Sequence, residues 1–371
     1  MKVREFKKTV KVTERLLKGV TVTILSYVKL VRENNAITFF ATNLEHSFLK
    51  TYYSLGPDFT AFVAVTDLAK VGKALKGDEA LISFEETPEG HENRIIFTGK
   101  QTIKINAIKD VDSDDYPTIE AELFGEFKDG KMFTVPSEKT LFEAIKKMAF
   151  TTTKKSQNIA YSGLFFDSAN QNLVTTDIHR LSLINIPGLI IPADRVLDMD
   201  FLKEMISKKS GDLITIGTGE MYTSFYFGSE TWTTRNIAPK FPNYVAVTGK
   251  TFDHINDSLS VPKFKEIIGS YADLYDDKVN AVRLTFEDNV LAFFADCGGI
   301  LLEDKMPIES SLNRVSAFNI KYLKEVFGVF NADTVEVSVD QDKSMAPMFL
   351  KETAPEYTFV HCLMPLRVEF N

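Results

Sequence analysis

Asp177 and His179 are the residues whose types and spacing come nearest to a catalytic pattern in this chain. An Asp-x-His pair, with Asp296 or His361 as a third ligand, would hold a divalent ion that activates water for hydrolysis. Only five histidines are spread over 371 residues. A histidine in such a setting is more often a hydrogen-bonded structural residue, and Arg180 beside it is equally compatible with a plain surface charge. A metal-assisted hydrolase is therefore kept as the enzymatic alternative.

Other catalytic motifs fail on their spacing. Gly249-Lys250-Thr251 resembles the end of a phosphate-binding loop, but the glycine required five positions earlier is Tyr244. The sequence has neither a Gly-x-Ser-x-Gly elbow nor a His-Glu-x-x-His helix. We therefore predict a protein without catalytic residues, cofactor or metal.

The segment FVHCLMPLRVEFN (359–371) is an apolar strand interrupted by Pro365. Proline cannot donate to a strand ladder, so pairing is expected to stop there. Met364 and Leu366 beside it have two interpretations. They are either buried in a frayed last strand or part of an adaptable apolar groove for peptides.

A pattern of helix, strand with polar turn, and second helix occurs three times along the chain. The strand ends read FFATNLEHS (39–47), LVTTDIHRL (173–181) and AFFADCGGI (292–300), and the second helices cover 65–75, 199–209 and 318–327. Repeats determine architecture before any single motif does. Three similar domains without a shared catalytic motif favour a scaffold over an enzyme.

The hydrophobic pattern between these landmarks predicts an α+β fold with antiparallel sheets. Short β-branched and aromatic runs separated by Gly, Asp and Asn are typical of hairpins. The strands are expected at 37–42, 79–86, 93–98, 102–108, 213–218, 223–228, 281–288 and 334–340. The helices are expected at 7–18, 67–77, 138–155, 200–209, 263–272 and 319–327. Each helix has one apolar stripe, so we expect the helices to pack on one face of the sheets with their lysines pointing away.

Charge is distributed unevenly between these elements. The chain carries a net charge of −8, yet the six predicted helices hold 20 Lys or Arg against 8 Asp or Glu. Lysine is a good helix former, which is the simpler explanation for any one helix. The same bias in all six helices favours a basic surface that meets a polyanion.

The compartment is predicted from three absences in the sequence. The segment MKVREFKKTV lacks the apolar core of a secretory signal, and no run of 18 apolar residues would span a membrane. Cys297 and Cys362 lack a Cys-x-x-Cys spacing and are expected to be reduced thiols. We therefore expect a cytoplasmic protein.

With these features the chain resembles the bacterial sliding clamp, the beta subunit of DNA polymerase III. The most specific stretches are TTDIHRL (175–181), KFPNY (240–244), FNIKYLKEVF (318–327) and MPLR (364–367). The resemblance implies three clamp domains, at 1–121, 122–247 and 248–371. It also implies a head-to-tail ring of two chains with sheets outside and helices lining the hole.

The resemblance further implies a partner-binding pocket between the second and third domains, suited to short linear motifs with a hydrophobic end. The second domain would contribute Tyr161, Thr176, His179, Arg180, Leu181, Pro242 and Val247. The third would contribute Val279, Asn319, Tyr322, Met345, Pro347, Met364, Pro365, Leu366 and Arg367.

This chain departs from the family pattern at four places in the implied pocket. Ile178 stands where the family usually has Gly, Ala246 replaces a basic residue and Val279 replaces an aromatic one. Four residues follow Arg367, more than usual, and would be able to lie over the groove. Motif preference is therefore expected to differ from the common pattern.

The same resemblance implies which residues face DNA and which face a second copy of the chain. The DNA-facing set is Lys11, Arg15, Lys70, Lys73, Lys139, Lys146, Lys147, Lys155, Lys203, Lys208, Lys263 and Lys321. The dimer interface would use Ile103 and Ile105 on one edge and Leu274 on the other. The expected function is a non-enzymatic processivity factor, a homodimeric ring on duplex DNA that a loader opens and that tethers the replicative polymerase and repair factors. A scaffold that never encircles DNA is the second alternative.

Overall fold

The computed structural model describes residues 1–86, 93–108, 116–117, 131–237, 240–248, 257–274, 281–297, 299–309, 313–340 and 345–368. The chain divides into two compact units. The first comprises Met1–Glu138 and Asp200–Asn236, and the second comprises Lys139–Met199 and Ile237–Asn371.

The described residues form α-helices and antiparallel strands. The helices are α1 (Val3–Leu16), α2 (Val65–Ala74), α3 (Glu138–Met148), α4 (Met199–Lys208), α5 (Val245–Thr248), α6 (Val261–Ala272) and α7 (Ile320–Val329). Single 3₁₀ turns cover Thr23–Ser26, Ala149–Thr151 and Ile159–Ser162. The first strands are β1 (Tyr27–Glu33), β2 (Ala36–Thr42), β3 (His46–Tyr53), β4 (Phe59–Ala64), β5 (Leu81–Glu85), β6 (Asn93–Thr98), β7 (Thr102–Ala107) and β8 (Lys131–Met132). The middle strands are β9 (Gly163–Asp167), β10 (Asn172–Thr176), β11 (Arg180–Asn185), β12 (Arg195–Asp198), β13 (Thr215–Thr218), β14 (Tyr222–Phe227) and β15 (Glu230–Arg235). The last are β16 (Asp257–Ser260), β17 (Ala281–Glu287), β18 (Val290–Asp296), β19 (Leu301–Pro307), β20 (Arg314–Asn319), β21 (Thr334–Ser338), β22 (Met348–Thr353) and β23 (Thr358–Leu363).

Each unit contains one eight-stranded sheet and one smaller sheet. The first unit has the order β4-β1-β2-β3-β15-β14-β13-β8 and a separate β5-β6-β7 sheet. The second unit has the order β12-β9-β10-β11-β23-β22-β21-β16 and a separate β19-β18-β17-β20 sheet. In each eight-stranded sheet, strands of two predicted domains join edge to edge, through the β3–β15 pair in one and the β11–β23 pair in the other.

The predicted threefold repeat is confirmed in the strand order. The orders β4-β1-β2-β3, β12-β9-β10-β11 and β20-β17-β18-β19 are the same arrangement met three times along the chain. Each repeat also ends in the same way. Its last residues return to the strand that precedes the second helix and form a backbone hydrogen bond with it, which we call the closing bond. The closing bonds run from Ile108 N to Phe62 O (2.9 Å), from Ile237 N to Val196 O (2.8 Å) and from Leu366 N to Ala317 O (2.8 Å).

The apolar stripe of each helix explains where the cores lie. In the first unit α1 and α2 bury their stripes against both sheets, so one cluster contains Phe6 of α1, Leu68 of α2, Phe39 of β2 and Phe97 of β6. Phe6 packs on Phe39 and Phe97 with ring centroids 5.9 and 5.2 Å apart. Burial of such rings is the main favourable contribution to folding here.

Strand positions agree with the sequence predictions more closely than helix ends do. All eight predicted strands are present, and 93–98 coincides with β6. By contrast, α1 begins at Val3 instead of residue 7, and α3 ends at Met148 instead of residue 155. Thr151, Thr152 and Thr153 follow α3, and β-branched residues are poor helix formers. Thr151 instead hydrogen-bonds Ser182 at 2.6 Å in the buried interior.

The predicted domain limits at 121/122 and 247/248 remain predictions. Residues 118–130 and 249–256 lie outside the described part of the chain.

Candidate functional site: a groove beside the turn 176–181

The turn between β10 and β11, residues 176–181, is held by side chains that bond to its own backbone. Thr176 Oγ1 donates to Arg180 O (2.7 Å) and accepts from Ile178 N (3.1 Å). Asp177 Oδ1 accepts from His179 N and Arg180 N, both at 3.1 Å. Short Thr and Asp side chains favour turns for this reason, since they satisfy backbone groups locally.

The equivalent turn of the first repeat is built in the same way. Thr42 Oγ1 accepts from Leu44 N, and Asn43 Oδ1 accepts from Glu45 N and His46 N. Leu44 and Ile178 both have a positive φ, 74° and 84° respectively. A branched aliphatic side chain seldom adopts this backbone region. The turn geometry therefore belongs to the repeat and not to Ile178 itself.

Arg180 anchors the 176–181 turn to the surrounding elements. Its guanidinium binds Asp177 Oδ2 (2.9 Å), the Glu325 carboxylate of α7 and Phe150 O (2.8 Å). It also stacks on the Tyr322 ring at 4.0 Å. Arg180 is buried, so the alternative that it is a plain surface charge is wrong.

The segment 364–366 lies between this turn and β20. Met364 N donates to His179 O (3.0 Å), and Leu366 N donates to Ala317 O (2.8 Å). Pro365 lies between these two bonds, where its missing N–H leaves nothing unsatisfied. Met364 is exposed and Pro365 is buried.

A short helix closes the other side of this surface. Phe241 and Tyr244 pack into the apolar cluster that also contains Leu181 and Cys362. Tyr244 OH donates to the Asp167 carboxylate, and Asn172 Nδ2 donates to Tyr244 OH at 3.2 Å. Burial, together with this bond to Asp167, raises the pKa of Tyr244. Tyr244 therefore remains a neutral anchor for α5.

Exposed apolar side chains border the surface that these elements make. We call the surface between the 176–181 turn, α5 and the segment 364–367 the candidate groove. Its exposed apolar members are Ile178, Val245, Val247, Met345 and Met364. Isolated exposed apolar residues are common, whereas a concentration of them indicates a binding surface. Methionines suit such a surface because they adapt to different ligands.

The predicted pocket residues divide into exposed members and supports. Exposed members are His179, Val247, Met345, Met364 and Arg367. Tyr161, Pro242, Tyr322, Pro347 and Leu366 are half-buried, and Thr176, Arg180, Leu181 and Pro365 are buried beneath them. Asn319 caps α7, accepting from Lys321 N (2.9 Å) and Tyr322 N (3.3 Å). Val279 lies outside the described residues.

Three contributors to this site are not indicated by any motif in the sequence. Val245 adds an exposed apolar side chain from α5, while Glu325 and Phe150 O hold Arg180 from below. Val245 stood beside the recognised stretch but carried no signal of its own. Glu325 and Phe150 meet Arg180 only through tertiary packing, which no local pattern reports.

The metal-site alternative finds no support at Asp177. Both carboxylate oxygens of Asp177 already bind groups of its own turn, and His361 is fully buried against Ser182 Oγ at 2.9 Å. In the described residues, no group of three or more His, Cys, Asp or Glu side chains is placed to hold a metal.

The predicted DNA-facing residues are exposed with one exception. Lys11, Arg15, Lys70, Lys73, Lys139, Lys146, Lys155, Lys203, Lys208, Lys263 and Lys321 are all exposed or partly exposed. Lys147 is buried, so its assignment to the DNA-facing set is wrong. Its ammonium pairs with the Glu352 carboxylate, donates to Val329 O (2.6 Å) and lies over the Phe359 ring. One helical step separates Lys146 from Lys147, which is enough to turn Lys147 into the interior.

The three residues predicted for the dimer interface lie on the described part of the chain, and their role in an interface remains a prediction. Ile103 and Ile105 share one face of β7, the last strand of its sheet, and pack on the core of the first unit. Leu274 is exposed just beyond α6. Among the helices of the described residues, none combines the length and the hydrophobicity of a membrane-spanning helix.

Comparison with known proteins identifies the class of fold. The chain is similar to Caulobacter crescentus pol III beta, with a TM-score of 0.82, 18% identity and 99% of each chain covered. It is also similar to the Helicobacter pylori beta clamp bound to a DNA ligase peptide, with a TM-score of 0.78, 17% identity and 99% of each chain covered. The chain has the fold of the DNA polymerase sliding clamps.

Sequence comparison leads to the same group of proteins. The chain is 22% identical over 366 residues to the beta sliding clamp of Pseudomonas aeruginosa, covering 94% of this chain and 93% of the relative. No protein-family model matches the chain. The resemblance to the beta subunit of DNA polymerase III is thus confirmed along nearly the whole chain.

Proposed function

We propose that this protein is a DNA sliding clamp, a non-catalytic processivity factor. Two copies form a ring around duplex DNA and tether the replicative polymerase and repair factors, after a clamp loader has opened the ring. The observation that carries this proposal is the sliding-clamp fold over the entire chain. Tethering raises the effective concentration of the polymerase at its template without new chemistry.

The charge distribution supports contact with DNA. Ten of the eleven exposed residues in the predicted DNA-facing set lie on α-helices, and Lys155 follows α3. Several pair with a neighbouring acid on the same helix, such as Lys70 with Asp67, Lys203 with Asp200 and Lys263 with Glu266. Exposed pairs of this kind are weak and leave the ammonium groups available to phosphates. Phosphate contacts are independent of sequence, as sliding requires.

Strand topology supports a two-chain ring. Within the chain, β3 of the first repeat pairs with β15 of the second, and β11 of the second pairs with β23 of the third. In the third repeat the strand equivalent to β3 and β11 is β19, and in the first repeat the strand equivalent to β15 and β23 is β7. Both are edge strands of their own sheets in the described residues. Pairing β7 of one copy with β19 of the other repeats the same junction and covers both edges. Ile103, Ile105 and Leu274 belong to this proposed junction.

The candidate groove supports binding of short linear motifs. Its exposed apolar residues suit a hydrophobic motif end, while His179 and Arg367 supply polar contacts at the border. Buried Arg180 fixes the turn that carries His179, so the groove is formed before a partner binds.

The three-domain division at 1–121, 122–247 and 248–371 and a cytoplasmic location belong to the same proposal. The two free cysteines agree with a reducing compartment.

Primer extension on a circular single-stranded template tests the proposal. With the polymerase and loader of the same organism, the protein is expected to lengthen the product made in one binding event. The double variant His179→Ala/Met364→Ala should lose this stimulation, because the polymerase motif loses its groove. Ile214→Ala, an exposed apolar residue elsewhere, is the matched control and should retain it. Products of equal length with and without the protein would contradict the proposal.

A further inference from the structure

Both junctions between repeats within the chain carry an ion pair at the same place. At the first junction, Glu204 Oε2 of α4 lies 2.9 Å from Arg15 Nη1 of α1. At the second junction, the Glu325 carboxylate of α7 pairs with Arg180 of β11. Glu204 and Glu325 each stand five residues after the first residue of their helix. The second helix of a repeat therefore binds the preceding repeat from one fixed position.

In the first repeat this helix position carries a lysine, Lys70. The helices α2, α4 and α7 are aligned by a fully buried leucine three residues after each helix start, at 68, 202 and 323. Lys70, Glu204 and Glu325 follow these leucines by two residues. The first repeat has no preceding repeat in its own chain. In a two-chain ring it follows the third repeat of the other copy, and a lysine at this position fits an acidic residue there.

The residue of the third repeat that corresponds to Arg15 is acidic. The helices α1 and α6 begin in the same way, because Val3 N and Val261 N each donate to an aspartate carbonyl, at 2.9 and 2.8 Å. Each of the five buried residues of α6 then has a buried counterpart in α1 at the same spacing. Arg15 and Asp273 both stand twelve residues after these starts. Asp273 is therefore the counterpart of Arg15.

Lys70 and Asp273 belong to elements beside the edge strands of the proposed ring junction. The helix α2 packs in the same core cluster as Ile103 and Ile105 of β7. The helix α6 contacts β19, and Asp273 directly follows α6. Joining β7 of one copy to β19 of another therefore brings α2 of the first copy next to α6 of the second.

We propose that Lys70 of each copy pairs with Asp273 of the partner subunit, so that two chains recognise each other by charge where β7 meets β19. This pair takes the place of Glu204 and Arg15 with the two signs exchanged. A closed ring of two chains contains it twice. The inference rests on the proposed function, because it requires the two-chain ring.

Both residues have only weak partners within their own chain. Lys70 bonds to Asp67 at 2.8 Å, and Asp273 lies 3.4 Å from Lys324. The side chains of Lys70 and Asp273 are 77% and 78% exposed. Exposed ion pairs of this kind contribute little to stability. Lys70 and Asp273 can therefore exchange these partners for each other when two copies meet.

The exchanged signs also select against wrong contacts between copies. If the third repeat met the second repeat of another chain in place of the first, Asp273 would face Glu204. Like charges at such a contact raise its free energy, which is one way in which interfaces reject wrong partners. The two ends of the chain are therefore matched to each other and not to the inner junction.

Mixing charge-reversed variants tests this pair. Lys70→Asp and Asp273→Lys each place two like-charged contacts in the ring, so each alone should raise the dimer dissociation constant about tenfold in low salt. In an equimolar mixture, the heterodimer has opposite charges at both junctions. Native mass spectrometry, with one variant labelled with ¹⁵N, should therefore show mainly heterodimers. The double variant Lys70→Asp/Asp273→Lys should return to the dissociation constant of the parent.

The matched control is Lys263→Asp, the same charge change at an exposed site of α6. It lies ten residues, about 15 Å along the helix, before Asp273. Mixed with Asp273→Lys, it should give no excess of heterodimers over random mixing. Random mixing of Lys70→Asp with Asp273→Lys would overturn the ion pair and leave the dimeric ring intact. A parent chain that stays monomeric would instead contradict the proposed function itself.

Discussion

Arg180 holds the 176–181 turn in place through contacts that reach three parts of the second unit. Because its partners are Asp177, Glu325 and Phe150 O, the residues that would touch a partner depend on one that is buried. Near it, the ring of His361 is fully buried. Its Nδ1 shares a hydrogen bond with Ser182 Oγ, and its Nε2 has no hydrogen-bond partner among the described residues. Burial, with a further contribution from the Arg180 charge, lowers the pKa of His361 well below its usual value.

The free energy of unfolding should consequently fall when the pH is lowered below about 6.5. The unfolded chain binds a proton near pH 6.5 and the folded chain resists it, so His361 stabilises the fold above about pH 6.5 and loses this contribution at lower pH. Urea unfolding at pH 8, 7, 6 and 5.5 measures the dependence. His361→Gln should flatten it by up to about 1.4 kcal/mol per pH unit below 6.5. The control His179→Gln, at an exposed site, should show the same dependence of the free energy of unfolding on pH as the parent. An equally steep dependence in His361→Gln would refute the assignment.

Ile178 is a second residue whose contribution to stability can be predicted. With φ at 84° and a β-branched side chain that is 60% exposed, it gains little packing for the strain that it carries. Ile178→Gly should raise the free energy of unfolding by about 1 kcal/mol, measured by urea denaturation. His179→Gly, at the next position and without a positive φ, should not be stabilising. If Ile178→Gly lowers stability, the strain argument is wrong.

At the scale of elements, each unit has a buried Lys–Glu pair that holds neighbouring elements together. Lys50 of β3 pairs with Glu230 of β15 in the first unit. Lys147 of α3 pairs with Glu352 of β22 in the second. In each case the carboxylate also caps the backbone after a helix, at Ser210 N for Glu230 and at Asn331 N for Glu352. Each pair therefore fixes a strand, a helix end and a basic residue from another element.

Removing one member of such a pair leaves a buried charge without its partner. Lys147→Ala is expected to lower the free energy of unfolding by about 3–5 kcal/mol in a urea titration. Lys146→Ala, at an exposed neighbour on the same helix, should change it by no more than about 0.5 kcal/mol. The double variant Lys147→Met/Glu352→Gln should recover part of the loss, since no unpaired charge remains. Equal effects of Lys146→Ala and Lys147→Ala would contradict this assignment.

Features that depend on residues close together in the sequence could be predicted, whereas features that depend on distant residues could not. Alternation and turn residues placed every predicted strand, as at 93–98 and 281–288, because a strand pattern is local. The helix end at Met148 and the burial of Lys147 depend on Ser182 and Glu352, which lie far away in the sequence. The same holds for Val245, Glu325 and Phe150 in the candidate site. Resemblance supplied the groove residues, but it did not say which of them are supports.

At the scale of the whole molecule, the three repeats explain why one chain presents two different edges. One strand of each repeat pairs with a strand of the next repeat, as β3 does with β15 and β11 with β23. In the described residues, β7 and β19 are the corresponding strands that have no such neighbour. Head-to-tail pairing of different edges closes into a ring if the rotation fits, and two copies of three repeats would complete it.

The two edges give a direct prediction of molar mass. The protein should have twice the 41.8 kDa mass of one chain by light scattering at micromolar concentration. Leu274→Asp combined with Leu301→Asp places charges at two exposed positions, one just after α6 and one on β19, and should yield monomers. Leu81→Asp, on β5 at the opposite edge of the first small sheet, is the control and should remain dimeric. A monomeric parent protein would contradict the proposed junction.

The most direct test of the central claim, that the protein encircles duplex DNA, is retention on DNA of different topology. The protein is loaded onto a nicked circular plasmid with its loader and separated from free protein by gel filtration in moderate salt, which weakens phosphate contacts. The protein is expected to stay with the circle and to be released when a restriction enzyme linearises it. Equal retention on circular and linear DNA, or none on either, would contradict it.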